Sequence, residues 1–118
     1  MSATFGRYVR EKRERLHAGS GGHSLRRVAA RIGVEPSFLS KVERGEQPPP
    51  SEPKIVRLAK VLKEDPDVLL ALAGKVSRDL RLVIQKRPQL FAQLIRELKG
   101  MPDAAVLRLV REVRDGRW

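Results

Sequence analysis

Apolar residues at Leu25, Val28, Ala29 and Ile32 recur at i, i+3, i+4 and i+7, which gives a short helix one face to bury. Gly33 ends that helix, and Glu35-Pro36 starts another, since proline is tolerated at a first helical position whose N–H would have had no partner. In the second helix Leu39 and Val42 turn inward. At about 100° per residue, Ser37, Ser40, Lys41 and Arg44 point the other way, leaving a small, cationic, hydrogen-bonding face with no carboxylate at its centre. A major groove could accept such a face. These two helices about a tight turn, residues 24–46, organise the rest of the chain.

The same periodicity predicts helices on both sides. Residues 4 to about 17 place Phe5, Val9 and Leu16 inward with Tyr8 beside them, while Arg7, Arg10, Glu11, Lys12, Arg13, Glu14 and Arg15 read as solvated surface. One or two of those arginines are candidates for phosphate contact. Residues 18–23 are flexible by composition, and Ser24 is an N-cap whose hydroxyl can accept from the backbone N–H groups that follow. After a loop stiffened by Pro48, Pro49 and Pro50, Ser51 caps a fourth helix with Ile55, Val56, Leu58, Ala59 and Leu62 on its apolar side. Asp65-Pro66 opens a fifth, containing Val68, Leu69, Leu70 and Leu72, and Gly74 ends it. The five helices are expected to share one small core.

Residues 75–118 show three further amphipathic segments. Val76, Leu80, Val83 and Ile84 mark the first; Leu90, Phe91, Leu94, Ile95 and Leu98, opened by Pro88, the second; Val106, Leu109, Val110 and Val113 the third. Some forty residues cannot enclose three such faces unaided. The first domain could cover them, but a second copy of the same segment is the preferred reading, with Phe91, Leu94, Ile95 and Leu98 at the centre of the dimer interface. The C-terminal stretch reads as a frayed tail, with Trp118 able to dock on a partner.

Charge changes this picture toward polyanions. There are 25 Lys+Arg against 14 Asp+Glu, a net +11 in 118 residues, which favours nucleic acid ahead of a membrane surface. Residues 1–31 carry 8 basic and 2 acidic side chains, residues 32–74 carry 6 and 7, and residues 75–118 carry 11 and 5. No cysteine is present, so disulfides and thiolate metal sites are excluded. No apolar run approaches the roughly 18 residues of a membrane span, and the N-terminus is too densely charged for a signal peptide, so a soluble cytoplasmic protein is expected. His17 and His23 are too few for a metal site and are expected at the surface. No nucleophile with a histidine base, no paired carboxylates in an apolar setting, no phosphate loop and no cofactor fingerprint point to an enzyme.

Gly33, Pro36-Ser37, Leu39-Ser40-Lys41 and Glu43-Arg44-Gly45, followed by a proline-rich loop and Arg57-Leu58-Ala59-Lys60-Val61-Leu62, resemble the helix-turn-helix domain of the phage lambda repressor type, the XRE family, over about residues 3–74. The resemblance implies an all-α, five-helix lambda repressor-like DNA-binding domain at residues 1–74, followed by a small C-terminal helical region, residues 75–118, that dimerises. By position it implies base-edge contacts from Pro36, Ser37, Ser40 and Lys41, and backbone contacts from Ser24, Arg26, Arg27, Arg44, Gln47 and Ser51. Serine bonds to several bases and discriminates weakly, whereas lysine prefers the guanine acceptors. Phe38 either packs on the core or touches a thymine methyl, and Glu43 is expected to pair with an arginine. Two departures stand out. Leu25 occupies the position where the family commonly carries a phosphate-anchoring glutamine, which passes that job to the helix N-terminus and Arg26 or Arg27. The loop at residues 18–23 is also longer than the family usually has.

The function implied is a dimeric transcriptional regulator, most simply a repressor, reading a palindromic operator in double-stranded DNA with helix 36–44 in the major groove and needing no cofactor. An alternative is the antitoxin of a toxin–antitoxin pair, autoregulating through the same domain while residues 75–118 bind a partner protein. A nonspecific architectural binder fits less well, because wedge residues are few.

Overall fold

The computed structural model describes residues 3–116, and among them helices and connecting loops are the only regular features. In chain order the helices are α1 (Ala3–Ser20), α2 (Leu25–Ile32), α3 (Pro36–Glu43), α4 (Glu52–Val61), α5 (Pro66–Leu72), α6 (Arg78–Lys86), α7 (Pro88–Leu98) and α8 (Asp103–Asp115). The chain is all-α. It divides into two compact units, one running to Ser77 and the other beginning at Arg78.

In the first unit all five helices contribute to one core. Phe5 and Val9 come from α1, Val28, Ala29 and Ile32 from α2, and Leu39 and Val42 from α3. Ile55, Leu58 and Ala59 from α4, Leu62 just after it, and Leu69 and Leu70 from α5 complete the set, each at most 1% exposed. Burying a side chain of this size is worth roughly 1.5–3 kcal/mol, so the core dominates the stability of the unit. Local signals set the helix ends. The Ser24 hydroxyl accepts from the Arg27 N–H at 3.2 Å, and the Asp65 carboxylate accepts from the Asp67 N–H at 2.9 Å. Gly33, at φ 75°, donates its N–H to the carbonyls of Ala29 and Ala30, a left-handed cap that a side chain would strain.

Several expectations are corrected. Helix α1 runs on to Ser20, so the anticipated six-residue flexible loop shrinks to a turn through Gly21 and Gly22, both at positive φ. That turn is pinned by His23, which is buried rather than on the surface. Its Nδ1 lies 3.1 Å from the Gly21 carbonyl and its Nε2 lies 3.0 Å from the Val61 carbonyl, while its backbone N–H donates to His17 Nδ1 at 3.2 Å. Val56, counted with the apolar side of the fourth helix, is 43% exposed. Ile55, Leu58, Ala59 and Leu62 fill the i, i+3, i+4, i+7 stripe, and a residue one step away lies about 100° off it. Ser51 occupies the N-cap position of α4 without a side-chain cap hydrogen bond.

Gly6 explains how α1 meets α3. A Cβ at this position would sit 2.2 Å from the Val42 carbonyl oxygen and 2.7 Å from that of Glu43, so only glycine lets the two backbones come this close.

The second unit differs in kind. Arg87 alone separates α6 from α7, which starts on Pro88, and Gly116 caps α8 in a left-handed conformation. Val76, expected in the first of these helices, lies ahead of α6. None of α6, α7 and α8 contains a buried residue. Leu94 and Leu98 of α7 face Val106, Leu109, Val110 and Val113 of α8 across an apolar cleft of about 390 Å³, with Arg114 in its wall. Phe91 and Leu98 are half-buried, and Leu94 and Ile95 are exposed. Trp118 lies outside the described residues.

Candidate nucleic-acid interface

Helix α3 is short, eight residues, and is held from behind. Leu39 and Val42 anchor it in the core, and Phe38 is half-buried with its ring against the same cluster, which resolves its two readings toward packing. The expected partner of Glu43 is Arg13, one of the arginines assigned to solvated surface. Arg13 Nε donates to Glu43 Oε2 at 2.7 Å and Nη2 to Oε1 at 3.0 Å, with both residues buried. Arg13 Nη1 also donates to the His23 carbonyl at 3.2 Å. One guanidinium therefore ties α1 to the last turn of α3 and to the turn before α2. The two-pronged hydrogen bond to Glu43 raises the Arg13 pKa above its already high ordinary value, against the opposing effect of burial.

On the outer side Ser37 and Lys41 are exposed, and Pro36 and Ser40 are half-buried. Arg44 follows the helix as its C-cap, and Gly45, at φ 76°, lets the chain fold back so that the Glu46 and Gln47 N–H groups both reach the Lys41 carbonyl, at 2.8 and 3.3 Å. Arg44 Nε donates to Glu46 Oε2 at 2.8 Å and Nη2 to Oε1 at 3.2 Å, and Nη1 donates to the Ser40 hydroxyl oxygen. The pairing raises the Arg44 pKa and lowers that of the Glu46 carboxyl.

A polar cleft of about 250 Å³ adjoins this outer side, lined by Arg10, Arg13, Glu14, Leu25, Ser40, Glu43 and Arg44. It brings two of the expected contact residues, Ser40 and Arg44, together with the start of α2. Arg26, Arg27, Gln47 and Ser51 do not line it. Arg26 and Arg27 are exposed on the first turn of α2, Ser24 is half-buried at its cap, Gln47 is half-buried in the following loop, and Ser51 is exposed. Leu25 packs against the core, as suits an apolar residue in place of a phosphate-anchoring amide. Beyond the expected set, Lys54 Nζ donates to the Gly33 carbonyl at 3.1 Å, placing a cation at the turn between α2 and α3. Glu46 and the Arg13 brace were missed because each depends on a partner brought in by folding; a carboxylate two residues beyond Arg44 across a glycine was the available hint.

The model of the helix-turn-helix domain family matches residues 4–72, more than half of the chain. The chain belongs to the helix-turn-helix family, in its XRE-like form. It is similar to two uncharacterised helix-turn-helix-type transcriptional regulators of Mycobacterium tuberculosis, from strains CDC 1551 and H37Rv, each 36% identical over 69 residues. The match spans 58% of this chain and less than half, 45%, of each relative. No solved structure matches the chain significantly. Helices α6, α7 and α8 lie beyond the family match. Among the described residues, no helix is long and apolar enough to cross a membrane.

Proposed function

We propose that this protein is a sequence-specific DNA-binding transcriptional regulator, a homodimer that represses by occupying a palindromic operator with α3 in the major groove. The observation that carries this reading is the division of α3 into two halves. Its inner half is fixed by core packing, the close crossing at Gly6 and the buried Arg13–Glu43 pair, while its outer half presents Ser37, Ser40 and Lys41 without a carboxylate among them. A rigid helix with such a face can hold hydrogen-bonding groups against base edges, Lys41 toward guanine O6 and N7 and the serines toward several bases. Pro36 abuts the groove at the helix start. Ser24, Arg26 and Arg27 at the start of α2, and Gln47 and Ser51 after α3, serve as contacts to phosphates.

Dimerisation falls to residues 75–118, through Phe91, Leu94, Ile95 and Leu98. The exposed apolar cleft between α7 and α8 supports this, because faces of this kind gain stability only when covered. The same cleft would suit a partner protein in the antitoxin reading, and oligomeric state separates the two. The test is selection of binding sites from random DNA by the full chain, with sedimentation of the same preparation. A palindrome with half-sites about 34–36 Å apart, bound by a dimer, is the expected result. A monomer at micromolar concentration, or no enriched sequence, would overturn it.

A further inference from the structure

The hydrogen bonds of Arg44 are spent largely inside the protein. Glu46 grips Nε and Nη2 at 2.8 and 3.2 Å, a two-pronged geometry that fixes the guanidinium plane. With the plane fixed, Nη1 is delivered to the hydroxyl oxygen of Ser40, one turn back along α3. A serine hydroxyl has one O–H to donate and two lone pairs to accept with. The guanidinium occupies one lone pair, and its charge makes the oxygen a poorer acceptor through the other. What Ser40 retains for an outside partner is its own O–H.

We propose that Arg44, held by Glu46, is a positioning residue that turns Ser40 into a hydrogen-bond donor and so sets the base it reads. The inference rests on the proposed placement of α3 in the major groove. There, a donor selects an accepting edge: guanine O6 or N7, adenine N7, or thymine O4. It rejects cytosine, whose major-groove edge offers only the N4 amino donor. A serine without the Arg44 contact reads donors and acceptors alike.

Site selection from random DNA tests this, using the full-length wild type, Ser40→Ala, Ser40→Thr, Glu46→Gln and Arg44→Met, with thermal unfolding to confirm that each is folded. Glu46→Gln keeps the shape of an exposed side chain, so the test stands even if Arg44→Met does not fold. The wild type should disfavour cytosine by about tenfold at one position in each half-site. Ser40→Ala should erase that bias and Ser40→Thr should keep it. Glu46→Gln and Arg44→Met should raise cytosine to within about threefold of the other bases at that position and leave the remaining positions unchanged. If Glu46→Gln and Arg44→Met leave the bias intact while Ser40→Ala removes it, the positioning role is overturned. It is equally overturned if they weaken all sequences alike and lower the salt dependence, the mark of a phosphate anchor. A wild type that enriches a site in which no position responds to Ser40→Ala sinks this inference alone. A wild type that enriches nothing sinks the DNA-reading proposal and this one with it.

Discussion

The two units of this chain use similar amphipathic helices to opposite ends. Among the described residues up to Ser77, thirteen hydrophobic core residues are buried, and the buried charge pair of Arg13 with Glu43 is hydrogen-bonded on both prongs. From Arg78 onward no described residue is buried, and Leu82, Val83, Leu90, Leu107, Val110 and Val113 are all more than half exposed. The first unit satisfies its own apolar faces. The second has the same pattern without the enclosure, so its stability has to be completed by something else, and a substitution of one type should have different consequences in the two units.

The largest difference is expected at the buried ion pair. Arg13→Ala leaves the Glu43 carboxylate buried without its partner and should destabilise the first unit by about 3–5 kcal/mol. Denaturant unfolding of the fragment ending at Ser77 measures this, and a loss below 1 kcal/mol would mean that the pair is not the brace described. Next, Leu58→Ala in the core should cost roughly 2–5 kcal/mol. Leu94→Asp in the second unit should leave the unfolding of the first unit within about 0.5 kcal/mol while converting a dimer to monomer in sedimentation. If Leu94→Asp destabilised the first unit as much as Leu58→Ala, the contrast between the units would collapse.

Gly6→Ala ranks below these, at about 1–3 kcal/mol, because the added methyl group forces α1 away from the carbonyls of Val42 and Glu43. It should also impair DNA binding more than its stability loss accounts for, since it displaces α3 as a body. The smallest effect concerns Tyr8, whose hydroxyl donates to the Glu64 carboxylate and links α1 to the loop before α5. That bond lowers the Glu64 pKa from an ordinary 4.5 and raises the Tyr8 pKa from an ordinary 10.0. For Glu64 the sign means stability present above the unfolded value and lost as pH falls through the folded one. For Tyr8 it means stability present below the unfolded value and lost as pH rises through the folded one. Wild type and Tyr8→Phe should therefore differ on the plateau between about pH 5 and 10 and converge at both extremes; a difference that persists into acid would rule out the bond as its source.

What could be read beforehand follows from the range of the interactions involved. Periodicity located α2 and α3, the inward Leu39 and Val42 and nearly the whole core, because a helix face is written in neighbours three and four residues apart. It misplaced Val56, since an apolar residue beside a stripe resembles one within it. Arg13 and His23 were misread for a different reason. Their partners, Glu43 and the Val61 carbonyl, are 30 and 38 residues away, and no local pattern announces a polar group that is buried because folding supplies its hydrogen bonds. Gly6 is silent as well, because backbone proximity leaves no period. In the candidate interface the exposure of Ser37 and Lys41 followed from the wheel, and Ser40 with Arg44 had the i, i+4 spacing of neighbours. The return of Glu46 onto Arg44 depended on the fold of Gly45.

The braces behind α3 all act on its inner residues or its backbone: Glu43 takes the Arg13 pair, the carbonyls of Val42 and Glu43 take the crossing at Gly6, and Leu39 and Val42 take the core. Ser37 and Lys41 belong to none of them. In evolutionary terms, a lineage carrying this domain can exchange those two residues at little thermodynamic cost, and under the proposed placement of α3 its preferred operator would change with them. Ser40 is less free, because a change there also removes the acceptor of Arg44 Nη1. Descendants should accordingly diverge first at positions 37 and 41, and change position 40 together with 44 or 46.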